Sequence, residues 1–92
     1  MTASPLPAPS ALATAIRLFL QYLRVECGLA ANTLLAYGRD LAALRVFLRD
    51  RGRTAPETVT PEDLSAYVQS LAQRLAPASR ARALASIRML FR

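Results

Sequence analysis

The sequence predicts an all-α protein, a compact four-helix bundle. Leu, Ala and Arg dominate its 92 residues, of which 53% are hydrophobic, and these residue types favour helices over strands. Apolar residues recur at steps of three and four in successive segments, as in helices with one buried face. Residues that cap or break helices separate these segments, and the chain is long enough for one hydrophobic core.

The first helix is expected from residue 11 to about 26. Residues 1–9 contain three prolines and are expected to form a flexible tail, with the folded domain covering 10–92. Ser10 is suited to cap the helix, and Gly28 is suited to end it in the left-handed conformation. The predicted core face consists of Leu12, Ile16, Phe19, Leu20 and Leu23.

A second apolar stripe lies on the opposite side of the first helix. It consists of Leu18, Tyr22 and Val25. Such a stripe is expected either to contact another protein or to be covered by the fourth helix.

The second helix is expected from about residue 33 to 51, with Asn32 as its N-cap and Gly52 as its end. Gly38 lies inside it and costs about 1 kcal/mol relative to alanine. That residue indicates either close approach by another backbone or no specific role. The predicted core face consists of Leu34, Tyr37, Leu41, Leu44 and Leu48.

Residues 53–59 are expected to form a loop, followed by a third helix over about 61–74. The sequence Thr60-Pro61-Glu62-Asp63 supplies a cap, a proline at the first helical position and acids near the positive end of the helix dipole. The inward residues are predicted to be Leu64, Tyr67, Val68 and Leu71.

The fourth helix is expected from about residue 80 to the terminus. Pro77 is predicted to break the chain before it, and Ser79 to cap it. Its inward residues are predicted to be Leu84, Ile87 and Phe91, and its outward residues Arg82, Ser86 and Met89. Because no capping residue closes this helix by Arg92, we expect more protein to follow.

Composition argues against catalysis, metal binding and cofactors. The chain has no histidine and a single cysteine, Cys27, so it lacks a zinc ligand set, a Ser–His–Asp triad and a Cys–His pair. Its three glycines are isolated and form no phosphate-binding loop. A lone cysteine and the lack of a signal or membrane-spanning segment predict a cytoplasmic protein.

Positive charge is concentrated near the end of the chain. The net charge is +6, yet residues 75–92 carry four arginines and no acid. Unmixed positive charge on a helix favours nucleic acid, and the alternative is an ordinary solvated face. On the second helix, Arg39 is predicted to point outward. Asn32 and Thr33 lie where a helix start binds phosphate, although simple capping also explains Asn32.

Residues 16–92 resemble the core-binding, SAM-like domain of the tyrosine recombinase (phage integrase) family, particularly the chromosome-dimer-resolving Xer recombinases. The stretch from Tyr37 to Leu41 is more similar to the XerD branch than to XerC. The matching residues are Phe19-Leu20-Gln21-Tyr22-Leu23 with Glu26, Asn32-Thr33-Leu34 with Ala36-Tyr37 and Arg39-Asp40-Leu41, Thr60-Pro61-Glu62-Asp63-Leu64, and Arg82, Leu84, Ile87-Arg88 and Phe91.

The resemblance implies a clamp, in which this domain covers one face of a double-stranded recombination site and a following catalytic domain covers the other. The second and fourth helices would lie across the major groove. It also implies contact with other protomers in a homo- or hetero-tetramer, with the first helix as the candidate contact. The implied DNA-binding residues are Asn32, Thr33, Arg39, Ser79, Arg80, Arg82 and Arg88.

The sequence departs from the family pattern at three places, and two other functions remain open. Ala30-Ala31 replaces a frequent Ser-Pro, and Gly38 and Ala83 stand where basic residues are frequent. One alternative function is a helical protein-interaction module whose arginine face meets an acidic partner. The other is a membrane-surface binder, which would need bulkier apolar residues on the fourth helix.

Overall fold

The computed structural model describes residues 10–91, and these residues are all-α, as predicted. The tail predicted for residues 1–9 and the terminal Arg92 lie outside the described residues. A 3-10 turn, Pro56–Thr58, lies in the loop before the third helix. The helices are α1 (Ala11–Val25), α2 (Ala31–Asp50), α3 (Pro61–Arg74) and α4 (Pro77–Leu90).

Four of the predicted helix boundaries are confirmed. The Ser10 hydroxyl accepts a hydrogen bond from the amide of Ala13 at 3.1 Å and caps α1. Gly28 and Gly52 end α1 and α2 with φ angles of +63° and +79°, the left-handed region that glycine adopts most readily. Thr60 caps α3, and Asp63 completes a capping box by accepting from the Thr60 amide.

The N-caps predicted at Asn32 and Ser79 are wrong, because both helices begin earlier. The N-cap of α2 is Ala30, whose carbonyl accepts from the Leu34 amide at 3.0 Å. Alanine has the highest helix propensity, so the helix extends back through it without a side-chain cap. α4 begins at Pro77, where the fixed φ of proline suits the first helical position rather than breaking the chain.

α2 lies at the centre of the fold and contacts each of the other three α-helices. Its Leu41, Leu44 and Leu48 are fully buried, and the Phe47 ring meets the Tyr67 ring edge-on with 5.1 Å between their centroids. All four α-helices therefore share one hydrophobic core. The buried core residues are Leu12, Ile16, Leu41, Leu44, Leu48, Tyr67, Leu71, Ala83 and Ile87.

The buried face of α4 differs from the prediction. Ser86 was expected to point outward but is fully buried beside Ala83 and Ile87, whereas Leu84 is only half-buried. The Ser86 hydroxyl donates to the Ala83 carbonyl at 2.8 Å, which satisfies it inside the core. Ala83 and Ser86 are small residues that also occur often on surfaces, so a hydrophobic pattern does not mark them as buried. The spacing of the larger apolar residues therefore indicated the wrong face of α4.

Gly38 makes no close backbone approach. A Cβ atom at this position would meet only the Leu20 Cδ1 atom at 3.8 Å, an ordinary van der Waals distance. Packing of α1 on α2 therefore does not require a glycine here.

Candidate nucleic-acid interface

The predicted interface residues of α2 lie in its first three turns. Asn32 is exposed and Thr33 is half-buried in the first turn, which has no side-chain cap. Arg39 is exposed, and it lies seven residues after Asn32, about two helical turns along the same side. The structure thus brings Asn32 and Arg39 together on one face of α2.

On α4, the predicted residues do not share a single face. Ser79 and Arg80 are half-buried, and Arg80 lines a cleft together with Val68 of α3. Arg88 is exposed and borders a second cleft between α3 and α4. Arg80 and Arg88 therefore lie on the side of α4 that faces α3.

Arg82 binds a carboxylate of the same chain. Its Nε atom donates to Asp40 Oδ2 at 2.8 Å, and a terminal nitrogen donates to Asp40 Oδ1 at 2.9 Å. The Asp40 side chain is only 7% exposed, and these hydrogen bonds raise the pKa of Arg82 above its ordinary value. This bidentate ion pair holds α4 against α2, and the Asp40 carboxylate neutralises the charge of Arg82.

The sequence interpretation missed this pair because Asp40 and Arg82 are 42 residues apart. One signal could have indicated it. Asp40 immediately precedes Leu41 and lies four residues before Leu44, on the border of the buried face. A carboxylate at such a position needs a partner, since an isolated buried charge is costly.

A second buried carboxylate engages two more arginines. Asp63 is fully buried and accepts from the Thr60 amide at 2.9 Å and from the Nε atoms of Arg51 and Arg53, both at 2.8 Å. The Thr60 amide, followed by the Arg51 hydrogen bond, holds the pKa of Asp63 well below its usual range. Asp63 was correctly predicted as a helix-start residue, but its arginine partners were not predicted.

These ion pairs change the distribution of available positive charge. Arg49, Arg51, Arg53 and Arg82 are paired with acids. Among residues 10–91, the arginines outside any ion pair are Arg17, Arg24, Arg39, Arg45, Arg74, Arg80 and Arg88. The available charge is therefore spread over all four α-helices rather than concentrated on α4.

Comparison with known proteins decides the family. The family model for the phage integrase N-terminal SAM-like domain matches residues 16–92. The chain belongs to this family. Its SAM-like domain is similar to the corresponding part of Xer-type tyrosine recombinases.

The SAM-like domain has relatives in several bacteria. It is 51% identical over 75 residues to tyrosine recombinase XerD of Agrobacterium fabrum, covering 80% of this chain and 22% of that protein. It is 40% identical over 75 residues to XerD of Caulobacter vibrioides, covering 80% of this chain and 24% of that protein. It is 33% identical over 75 residues to XerC of Lactobacillus leichmannii, covering 80% of this chain and 25% of that protein.

The SAM-like domain spans about a quarter of the length of these relatives. No solved structure matches the chain. No helix among residues 10–91 is long and apolar enough to cross a membrane.

Proposed function

We propose that this SAM-like domain binds one face of a double-stranded recombination site, as half of a clamp that a catalytic domain completes. The observation that carries the proposal is the match of residues 16–92 to a domain whose relatives are named tyrosine recombinases. Because the match covers only about a quarter of those proteins, strand exchange belongs to the proposal as an activity of a longer protein.

In this proposal, α2 and α4 supply the DNA contacts. Asn32, Thr33 and Arg39 act from α2, and Ser79, Arg80 and Arg88 act from α4. The exposure of Arg39 and Arg88 and their lack of an acidic partner support this assignment. Unpaired guanidinium groups can donate to phosphate oxygens or to the edge of a guanine.

For Arg82, we propose an indirect role instead of the expected DNA contact. To give its full charge to a phosphate, Arg82 would have to leave Asp40 as a buried carboxylate without a partner, at a cost of about 1–3 kcal/mol. Counterion release by one phosphate contact returns about 1 kcal/mol at physiological salt. Arg82 therefore stays on Asp40 and sets the spacing between α2 and α4.

Duplex binding by single-site variants tests the contact assignment. Arg39→Ala and Arg88→Ala should each flatten the dependence of log affinity on log salt by about 0.9. Arg45→Ala is the matched control, because Arg45 lies in a cleft beside the N-terminal end of α1. The assignment is wrong if folded Arg39→Ala and Arg88→Ala proteins keep the wild-type affinity and slope in fluorescence anisotropy.

A second proposed contact joins neighbouring protomers on the DNA. The stripe on α1 is exposed, with Leu18 at 52% and Val25 at 62%, so α4 does not cover it. Leu18→Ser and Val25→Ser should leave the thermal unfolding of the domain unchanged. In a recombinase that carries this domain, they should abolish cooperative binding to the site. Loss of folding stability instead would place the stripe in the core.

Strand cleavage is assigned to the catalytic domain rather than to these 92 residues. Incubation of the pure domain with supercoiled plasmid carrying a recombination site should leave the plasmid supercoiled. Reproducible relaxation that copurifies with the domain would contradict this assignment.

A further inference from the structure

A groove of about 820 Å³ runs between α1 and α2, away from the Asp40–Arg82 pair. Its floor is apolar and includes Leu20, Leu34 and Leu35. Leu35 is 60% exposed and, with the other leucines, gives the groove an apolar surface open to solvent. A surface of this kind is expected to be covered by a partner.

The walls of the groove are positively charged. Arg17 and Arg24 line it from α1, and Arg39 lines it from α2. None of the three lies in an ion pair, and no acid lines the groove. An occupant must therefore combine an apolar face with negatively charged edges.

The spacing of the wall arginines matches a helix. Arg17 and Arg24 are seven residues apart on α1, which places them about 10 Å apart along the helix axis. Carboxylates seven residues apart on a second helix, laid along the groove, repeat that spacing. The phosphates of duplex DNA could pair with these arginines. They would make no favourable contact with the exposed leucines of the floor, because the phosphate backbone is charged and hydrated.

Gly38 also lines the groove. A Cβ atom there would contact only the end of Leu20, so packing of α1 on α2 does not need the glycine. A glycine in a helix interior nevertheless weakens the helix. Its effect here is to leave space in the groove.

We propose that the groove between α1 and α2 is a docking site for an acidic amphipathic helix of a partner protein. Large aliphatic side chains of the partner helix, at positions i, i+3 or i+4 and i+7, cover the floor of the groove, as in other helix-in-groove contacts. Glutamates beside this apolar row pair with Arg17 and Arg24 of α1, which are not among the proposed DNA contacts.

A labelled 15-residue helical peptide, mixed with the 92-residue chain, tests the proposal. The peptide carries leucines along one side, with flanking glutamates seven residues apart, and the control peptide has glutamine at each glutamate. Fluorescence anisotropy should show saturable binding of the acidic peptide and about tenfold weaker binding of the glutamine peptide.

Variants of the chain separate the groove from general charge effects. The double variant Arg17→Gln/Arg24→Gln should weaken binding of the acidic peptide about tenfold, whereas the matched Arg45→Gln should leave it within about twofold. Gly38→Leu should abolish binding by filling the groove. It should not lower the unfolding temperature, because leucine is a better helix former than glycine.

Several results would overturn the proposal. These are the absence of saturable binding, equal binding of both peptides, or wild-type binding by folded Gly38→Leu. If Arg17→Gln/Arg24→Gln reduces duplex DNA affinity as much as Arg88→Ala does, the walls of the groove are part of the DNA-binding surface of the protein. If the chain self-associates in sedimentation and Gly38→Leu abolishes the association, the occupant is a second copy of the chain.

Discussion

Replacing Arg82 with alanine separates a residue that holds two helices together from one that contacts DNA. The change removes two charge-assisted hydrogen bonds and leaves the nearly buried carboxylate of Asp40 without its partner. A hydrogen bond to a charged group contributes about 1.5–3 kcal/mol. Since the Arg82 side chain is itself 40% exposed, water partly compensates, and the low end of that range applies.

A loss of about 1.5–2 kcal/mol corresponds to a fall of about 6–16 °C in the unfolding temperature of a domain of this size. The double variant Asp40→Asn/Arg82→Gln removes both charges and leaves no orphaned carboxylate. It should therefore be less destabilised than Arg82→Ala, a non-additivity that direct contact between the residues predicts. Circular dichroism during thermal unfolding measures both quantities.

DNA binding by the same variants completes the test. The double variant has the net charge of the wild type and, at temperatures where it is folded, should retain the wild-type dependence of affinity on salt. Arg88→Ala should flatten that dependence by about 0.9. The reasoning is refuted if Arg82→Ala is as stable as wild type and flattens the salt dependence as much as Arg88→Ala does.

Three further predictions concern stability. Because Asp63 has a depressed pKa in the folded protein, its ionised form stabilises the fold above the ordinary value of 3.8, and this contribution is lost as the pH falls below it. Urea unfolding at pH 7 and pH 3 should show a smaller acid sensitivity for Asp63→Asn than for wild type, and equal sensitivity would exclude Asp63 as its source. Gly38→Ala should raise the free energy of unfolding by about 1 kcal/mol, and a decrease would indicate a packing role for the glycine. Ser86→Leu should lower it by about 1–3 kcal/mol through overpacking, whereas Leu84→Ala should cost only about 1 kcal/mol. If Leu84→Ala destabilised the domain more than Ser86→Leu, the buried face of α4 would be the one that the sequence predicted.

The elements that sequence could predict are those that local chemistry decides. Thr60, Pro61 and Asp63 each favour a helix start for a separate physical reason, and α3 begins where they place it. Gly28 and Gly52 adopt positive φ angles at the predicted helix ends. In these places a few neighbouring residues determine the backbone.

The predictions that failed depend on weak local contrast. Asn32 is a good capping residue, but Ala30 and Ala31 ahead of it offer no obstacle to the helix, so α2 starts before it. α4 buries Ala83 and Ser86, which a hydrophobic pattern does not distinguish from surface residues. The apolar spacing therefore selected Leu84, a larger residue that lies half-buried.

The candidate site was only partly accessible from the sequence. Excess positive charge and family resemblance indicated α2 and α4, but they could not show which arginines remain outside ion pairs. Arg82 illustrates the difficulty, because its partner Asp40 lies on another helix. Pairing across a fold depends on tertiary packing, whereas helix spacing reports only which residues share a face.

The salt dependence of duplex DNA binding by the wild-type chain tests the central claim most directly. If Arg39, Arg80 and Arg88 each neutralise one phosphate, log affinity should fall with log salt concentration at a slope of roughly −2.7, about −0.9 per contact. Fluorescence anisotropy with a labelled duplex, repeated from low to physiological salt, gives this slope. A slope near zero, or no detectable binding even at low salt, would contradict the account.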